Sequence, residues 1–169
     1  MTQEVKRSYL EINSIEDLKE VSVPSENYSI NLLDPVNFQL NKFFYKNIGK
    51  KHRWVDRLVW IESKWIDYVS DKKVKTYVFK HKNDLAGFFE LIFHLENKEV
   101  EIAYFGLLEE YQNKKLGSYL LSQAIKKSFI DNINRVWVHT CTLDHKNALN
   151  NYISRGMKIF KTETIKIYF

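Results

Sequence analysis

"VEIAYFGLLEEYQNKKLGSYLLSQAI", Val100 to Ile125, runs through a strand, a polar loop and a helix. The first part, Val100 to Leu108, is almost entirely apolar and reads as a strand. From Leu116 onward the period changes. Leu116, Leu120, Leu121, Ala124, Ile125 and Phe129 recur at helical spacing, with Lys126 and Lys127 on the opposite side. The loop between them ends where a helix begins. There the first amides have no intrahelical partner and the helix dipole is positive. Gln112, Asn113, Lys114, Lys115, Leu116, Gly117 and Ser118 would supply backbone amides, a hydroxyl and charge to a phosphate. Two readings are open, an anion site and a solvated basic helix start. Adjacent lysines at a helix N-terminus cost roughly 0.3–1 kcal/mol each, which an anion would offset.

Working outward, "VKTYVFKHK" (Val74–Lys82), "DLAGFFELIFHL" (Asp84–Leu95) and Val100–Leu108 follow one another with short polar turns, as in an antiparallel meander. A two-residue turn centred on Asn97-Lys98 sets His94 opposite Glu101 and Glu90 opposite Phe105, all four on one face. Beyond the helix, "RVWVHTC" (Arg135–Cys141) is a short strand buried on both faces. Strand, helix and strand in this order make a right-handed parallel crossover. A last helix carries Ala148, Leu149, Tyr152 and Ile153, Gly156 caps it, and Met157–Phe169 ends the chain as one bent strand or two.

Toward the N-terminus, Leu58 to Val69 and Val36 to Ile48 have helical spacing, with Pro35 in the first turn of the latter, and Tyr28–Asp34 is a strand. Residues 1–27 are polar, with a short helix at Ser14–Val21, and are expected either to be partly mobile or to pack on the domain; residues 28–169 form one domain. The fold class is α/β (or α+β) with a mixed sheet.

The 169 residues are 44% hydrophobic and 15% aromatic, enough for one well-cored domain. A net charge of +5 allows an anionic cofactor as readily as nucleic acid, and no run of five or more Lys/Arg marks a nucleic-acid arm. Cys141 is the sole cysteine, so no intrachain disulfide forms, and a reducing compartment is expected. The start "MTQEVKRSYLEI" lacks the apolar centre of a signal peptide, and no apolar run is long enough to span a bilayer. A soluble cytoplasmic protein, monomer or homodimer, is the expectation.

Gln112-x-x-Lys115-x-Gly117 resembles the Q/R-x-x-G-x-G/A signature of the GCN5-related N-acetyltransferases, with Lys115 on the first glycine. "EIAYFGLL" is similar to that family's fourth strand. His139–Phe160 resembles the strand and helix of its second acetyl-CoA motif, with Asn147, Ala148, Tyr152 and Gly156-Met157 in the recurring positions. The resemblance spans roughly Trp54 to Phe160. It implies a mostly antiparallel sheet whose parallel pair, Val100–Leu108 and Arg135–Cys141, splays apart at a cofactor cleft. It also implies direct attack of an amine on acetyl-CoA in a ternary complex, without a metal.

On that resemblance the pantetheine arm lies along Phe105, Gly106 and Leu107, and the pyrophosphate on Gln112–Gly117. Lys115 is taken as already helical, its charge reaching a coenzyme phosphate. Glu101 is the candidate base that frees the amine of its proton, and Tyr152 the candidate acid for the departing thiolate. Each has a bland alternative, a solvated strand-edge glutamate and a core tyrosine. Asn147 caps the last helix or bonds the pantetheine arm. His94 would orient Glu101, and Glu90 is a reserve base or substrate contact. Trp54 and Arg57 are assigned to the acceptor pocket, Arg57 clamping a carboxylate, against the alternative of a core-anchored helix. His139, Cys141 and His145 are read as a buried structural trio, since their spacing does not suit a closed zinc site. The leading function is acetyl transfer to a primary amine of a small molecule. A non-catalytic acyl-CoA-binding module, or transfer to a protein amine, stands as the alternative.

Overall fold

The computed structural model describes residues 1–168. Seven strands form one sheet: β1 (Thr2–Ile12), β2 (Tyr28–Leu32), β3 (Val74–His81), β4 (Asp84–His94), β5 (Glu99–Leu107), β6 (Arg135–Cys141) and β7 (Lys158–Tyr168). Their spatial order is β2-β3-β4-β5-β6-β1-β7. Every pairing is antiparallel except β5 with β6. Helices α1 (Phe38–Gly49) and α2 (Glu62–Ser70) precede the meander, and α3 (Leu116–Ser128) and α4 (Ala148–Ser154) flank β6 in sequence.

Two apolar cores sit on opposite faces of this sheet. The larger is built under α3, where Leu116, Leu120, Leu121 and Ile125 meet Phe89, Leu91 and Val136. The smaller lies under α1, where Phe44 and Ile48 meet Val78 and Phe88. Fully burying such side chains is worth about 1.5–3 kcal/mol each.

The start of the N-terminal segment is packed on the domain, not mobile, and it is a strand of the sheet itself, which the sequence reading did not anticipate. Residues 2–12 form β1, wedged between β6 and β7, with Leu10 opposite Val138 and Val5 opposite Ile165. Val5, Leu10 and Ile12 are fully buried, and so is the small polar Ser8. Glu4, Lys6, Arg7 and Glu11 give the strand its polar look, yet all four stay exposed or half-buried while Val5 and Leu10 between them are buried. The short helix expected at Ser14–Val21 is a single 3-10 turn, Ile15–Asp17, capped by the Ser14 hydroxyl.

Two helix starts also differ. Asn37, and not Pro35, begins α1, because its side chain accepts from the Leu40 amide at 3.1 Å. The helix expected from Leu58 begins only at Glu62. Residues 50–61 instead make successive turns around Arg57, whose side chain is drawn down onto the sheet and leaves Leu58 and Ile61 exposed.

The β4–β5 register is slipped from the expected one. The turn takes Leu95–Lys98, with Lys98 at φ 55°, so His94 pairs with Glu99 and Ile92 with Glu101. A slip of two preserves the faces, and His94 still leans toward Glu101. A second irregularity does change a face. Leu91 pairs with Ile102 and Glu90 with Tyr104, leaving Ala103 as an extra residue. That bulge turns Phe105 away from Glu101's face, onto the α3 side, and brings Tyr104 there instead.

Candidate active site

β5 and β6 pair at only three steps: Glu99 with Arg135, Val100 with Val136, and Glu101 with Trp137. Past Glu101 they diverge, and the gap opens into a cleft of about 1390 Å³. That exceeds the usual volume of a single-ligand pocket.

One wall of the cleft is the loop into α3. Gln112 Nε2 donates to the Leu107 carbonyl at 3.2 Å, tying the loop to the end of β5. Asn113 and Lys115 both have positive φ, 59° and 61°. Lys115 is therefore left-handed, not helical as expected, and it is the N-cap of α3. The position at which the signature carries glycine is the one that needs φ > 0, because the chain must reverse there to point the next amides outward. A lysine in that conformation costs about 1–2 kcal/mol. The first-turn amides of Leu116, Gly117 and Ser118 have no backbone acceptor among the described residues. Lys114 points out of the cleft, its ammonium 5.6 Å from the Tyr111 ring centre.

Lys115→Gly separates strain from charge. We expect a melting temperature that rises, because relief of about 1–2 kcal/mol of strain outweighs glycine's extra chain entropy of roughly 0.5–1 kcal/mol. Coenzyme A affinity is expected to fall, with a weaker salt dependence. Denaturation and titration at two ionic strengths check both; a lower melting temperature would place the strain elsewhere.

The second wall comes from β6 and α4. Val136, Val138 and Thr140 are buried, while His139 is exposed and Cys141 half-buried on the cleft side. The strand is thus buried on one face only, and the expected buried trio is a cleft-lining group. Tyr152 is buried among the α3-side core residues, its ring 6.3 Å from Phe105, yet it borders the cleft. Burial raises its phenol above the ordinary value of 10, so it stays protonated. Asn147 is the N-cap of α4 without a side-chain cap bond. Asn151, one turn further on, was not anticipated. Its Nδ2 donates to the Gly117 carbonyl at 3.2 Å, joining α4 to the first turn of α3, and its buried Oδ1 has no partner. Its place one turn after Asn147 was the only signal.

At the far end stand Glu101, Trp54, Trp60, Tyr68 and Tyr104. Glu101 Oε2 is 3.8 Å from His94 Nε2. Burial raises the Glu101 carboxyl above the usual carboxylate range, and the Glu90 charge adds to this. His94 and Arg57 pull the other way. Glu90 and Arg57 differ from expectation. Glu90 is completely buried and holds Arg57 in a bidentate ion pair, at 3.0 and 2.9 Å. Arg57 already has its carboxylate, and Glu90 is closed to a substrate amine. Neither Glu90 nor His94 lines the cleft.

Gly106 explains why α1 sits so close above β5. A Cβ there would lie 2.6 Å from Ile48 Cγ2. At Gly117, by contrast, a Cβ meets only ordinary contacts.

This architecture matches solved acetyltransferase structures. A GCN5-related N-acetyltransferase from Sphaerobacter thermophilus superposes with a TM-score of 0.70 at 10% identity, over 96% of this chain and 50% of that one. A functionally unknown conserved protein from Staphylococcus epidermidis gives 0.66 at 18% identity, over 96% and 61%. The spermidine N-acetyltransferase from Vibrio cholerae, in complex with CoA and spermine, gives 0.64 at 18% identity, over 78% and 81%. The chain thus spans half to under two thirds of the length of the first two. No curated protein matches it. No helix among the described residues is long and apolar enough to cross a membrane. The acetyltransferase (GNAT) family model matches residues 37–157, most of the chain, and the protein belongs to that family.

Proposed function

We propose that this protein transfers an acetyl group from acetyl-CoA to a primary amine of a small molecule. The observation that carries the reading is the divergence of β5 from β6 just past Glu101, which opens one cleft between the α3 loop and Glu101. The residues fit the coenzyme. The amides of Leu116, Gly117 and Ser118 would bind its pyrophosphate, with Lys115 adding charge, and Asn113 and Gln112 shape that loop. The β5 backbone at Phe105, Gly106 and Leu107 would run beside the pantetheine arm, although the Leu107 carbonyl is already engaged by Gln112. The unpartnered Asn151 Oδ1 is a further acceptor at this wall. Bound there, the coenzyme supplies the activated acyl group.

The chain's own residues would move the protons. An alkyl amine is mostly protonated at neutral pH and attacks only when neutral. Glu101 is the proposed base, taking the proton directly or through water, with His94 beside it. Tyr152, kept protonated by burial, would donate to the departing sulfur. Asn147, at the start of α4, would stay near the arm without a role in proton transfer.

A small amine is favoured on the acceptor side. Arg57 is taken by Glu90 and is therefore not available to clamp an acceptor carboxylate. Trp54, Trp60 and Tyr104 line this end, with the Arg57 guanidinium already against Trp60 and Tyr104 and the Lys64 ammonium 4.8 Å from the Trp60 ring centre, so the surface offered to an acceptor is chiefly aromatic. One structural neighbour is itself a spermidine acetyltransferase.

Free-thiol release from acetyl-CoA across a panel of amines tests this. Amine-dependent release with saturation in both substrates is the expected result. Tight coenzyme binding without release for any amine would leave a binding module instead.

A further inference from the structure

The Arg57–Glu90 pair takes no part in the proton transfers assigned above, yet it is the most deeply buried charge pair described. Glu90 comes from the middle of β4. Arg57 comes from the turns at residues 50–61, the roof over the far end of the cleft. Besides Glu90, the Arg57 guanidinium donates to the Tyr68 hydroxyl of α2 at 2.7 Å. Its backbone amide donates to the Tyr45 hydroxyl of α1 at 3.1 Å. One residue therefore ties the roof to β4, α1 and α2. The guanidinium carbon lies 4.4 Å from the Tyr104 ring centre and 4.9 Å from that of Trp60. Trp54 in turn packs edge-on against Tyr104, ring centres 4.7 Å apart. Trp54, Trp60, Tyr68 and Tyr104 all border the cleft.

Buried ion pairs are weak stabilising devices, because desolvation offsets most of their attraction, and apolar replacement of both partners is often neutral. What this pair contributes lies in the geometry it holds. We propose that Arg57 and Glu90 are a positioning pair that fixes the roof over the acceptor end of the cleft and thereby sets the enzyme's affinity for its amine. The inference rests on the acetyltransferase reading above for its kinetic part only.

Removing Arg57 alone would strand a buried carboxylate near Glu101 and confuse two effects. The informative variant is therefore Arg57→Met with Glu90→Leu, which removes both charges and keeps apolar volume. Its melting temperature should stay near wild type. The acceptor KM should rise about ten-fold or more with kcat little changed. Coenzyme A affinity should be unaffected, since the α3 loop lies at the other wall. Trypsin should cut the folded variant after Lys50 and Lys51 about ten-fold faster, reporting a roof that opens more often. An unchanged KM and unchanged cleavage at a native melting temperature would overturn the proposal. If the double variant does not fold, Arg57→Lys replaces it. That change keeps the charge but loses the planar fork, and the same two shifts are expected, with their absence equally decisive. Should no amine turn over in the wild type, the transferase reading fails, while the cleavage rates still decide whether the pair holds the roof.

Discussion

Glu101→Gln is expected to lower kcat/KM at neutral pH by about 10²-fold or more, the usual contribution of a positioned general base. The substitution keeps shape and loses the basic oxygen, so coenzyme affinity and melting temperature should hold. The pH profile gives the sharper test. A base works only when ionised, so activity is present above its folded pKa and is lost as the pH falls through it. Burial and the Glu90 charge push that pKa above the ordinary carboxylate range, with His94 and Arg57 partly opposing. The acid limb of the wild-type profile should accordingly lie above the range typical of an exposed glutamate, and it should vanish in the Gln variant. The acceptor amine's own ionisation remains in both. A variant with wild-type rate and an intact acid limb would move the proton to a water chain and leave Glu101 a bystander.

Deleting residues 2–12 should abolish cooperative folding. Among the described residues β1 is the strand that joins β6 to β7, and its loss would free β7 and expose the far edge of β6. Burial of Val5, Leu10 and Ile12 at about 1.5–3 kcal/mol each rivals the whole net stability of an ordinary domain, about 5–15 kcal/mol. The milder Leu10→Ala should still fold, losing about 2–5 kcal/mol. Chemical denaturation of both reads the result. A truncated chain with an undiminished unfolding transition would mean that β1 adds nothing to the sheet.

The part of the site legible from sequence is the part built from neighbours along the chain. The loop from Gln112 to Ser118, the apolar stripe of α3 and the alternation of β5 each lie within one stretch, and short-range periodicity specifies them. The motif around Tyr152 marked a position that does border the cleft. Lys115 shows how far this extends: the signature marked the position, but its left-handed backbone follows from how the chain must turn to enter α3.

Residues that meet across the chain escaped that reading. Arg57 and Glu90 are 33 positions apart, and nothing local to either says that one will neutralise the other. An arginine between tryptophans reads as an open clamp until its partner is known. The single extra residue Ala103 likewise has no sequence mark of its own, yet it decides that Tyr104 and not Phe105 shares a face with Glu101.

The sequence by itself determined the meander, the crossover through α3 and the family to which the loop belongs, because local hydrophobic period and turn chemistry act within a few residues. The tertiary structure alone decided that β1 enters the sheet between β6 and β7, that the roof folds around Arg57, and where β5 bulges. Those outcomes depend on which distant surfaces are left to be paired or buried, and no local pattern encodes that choice.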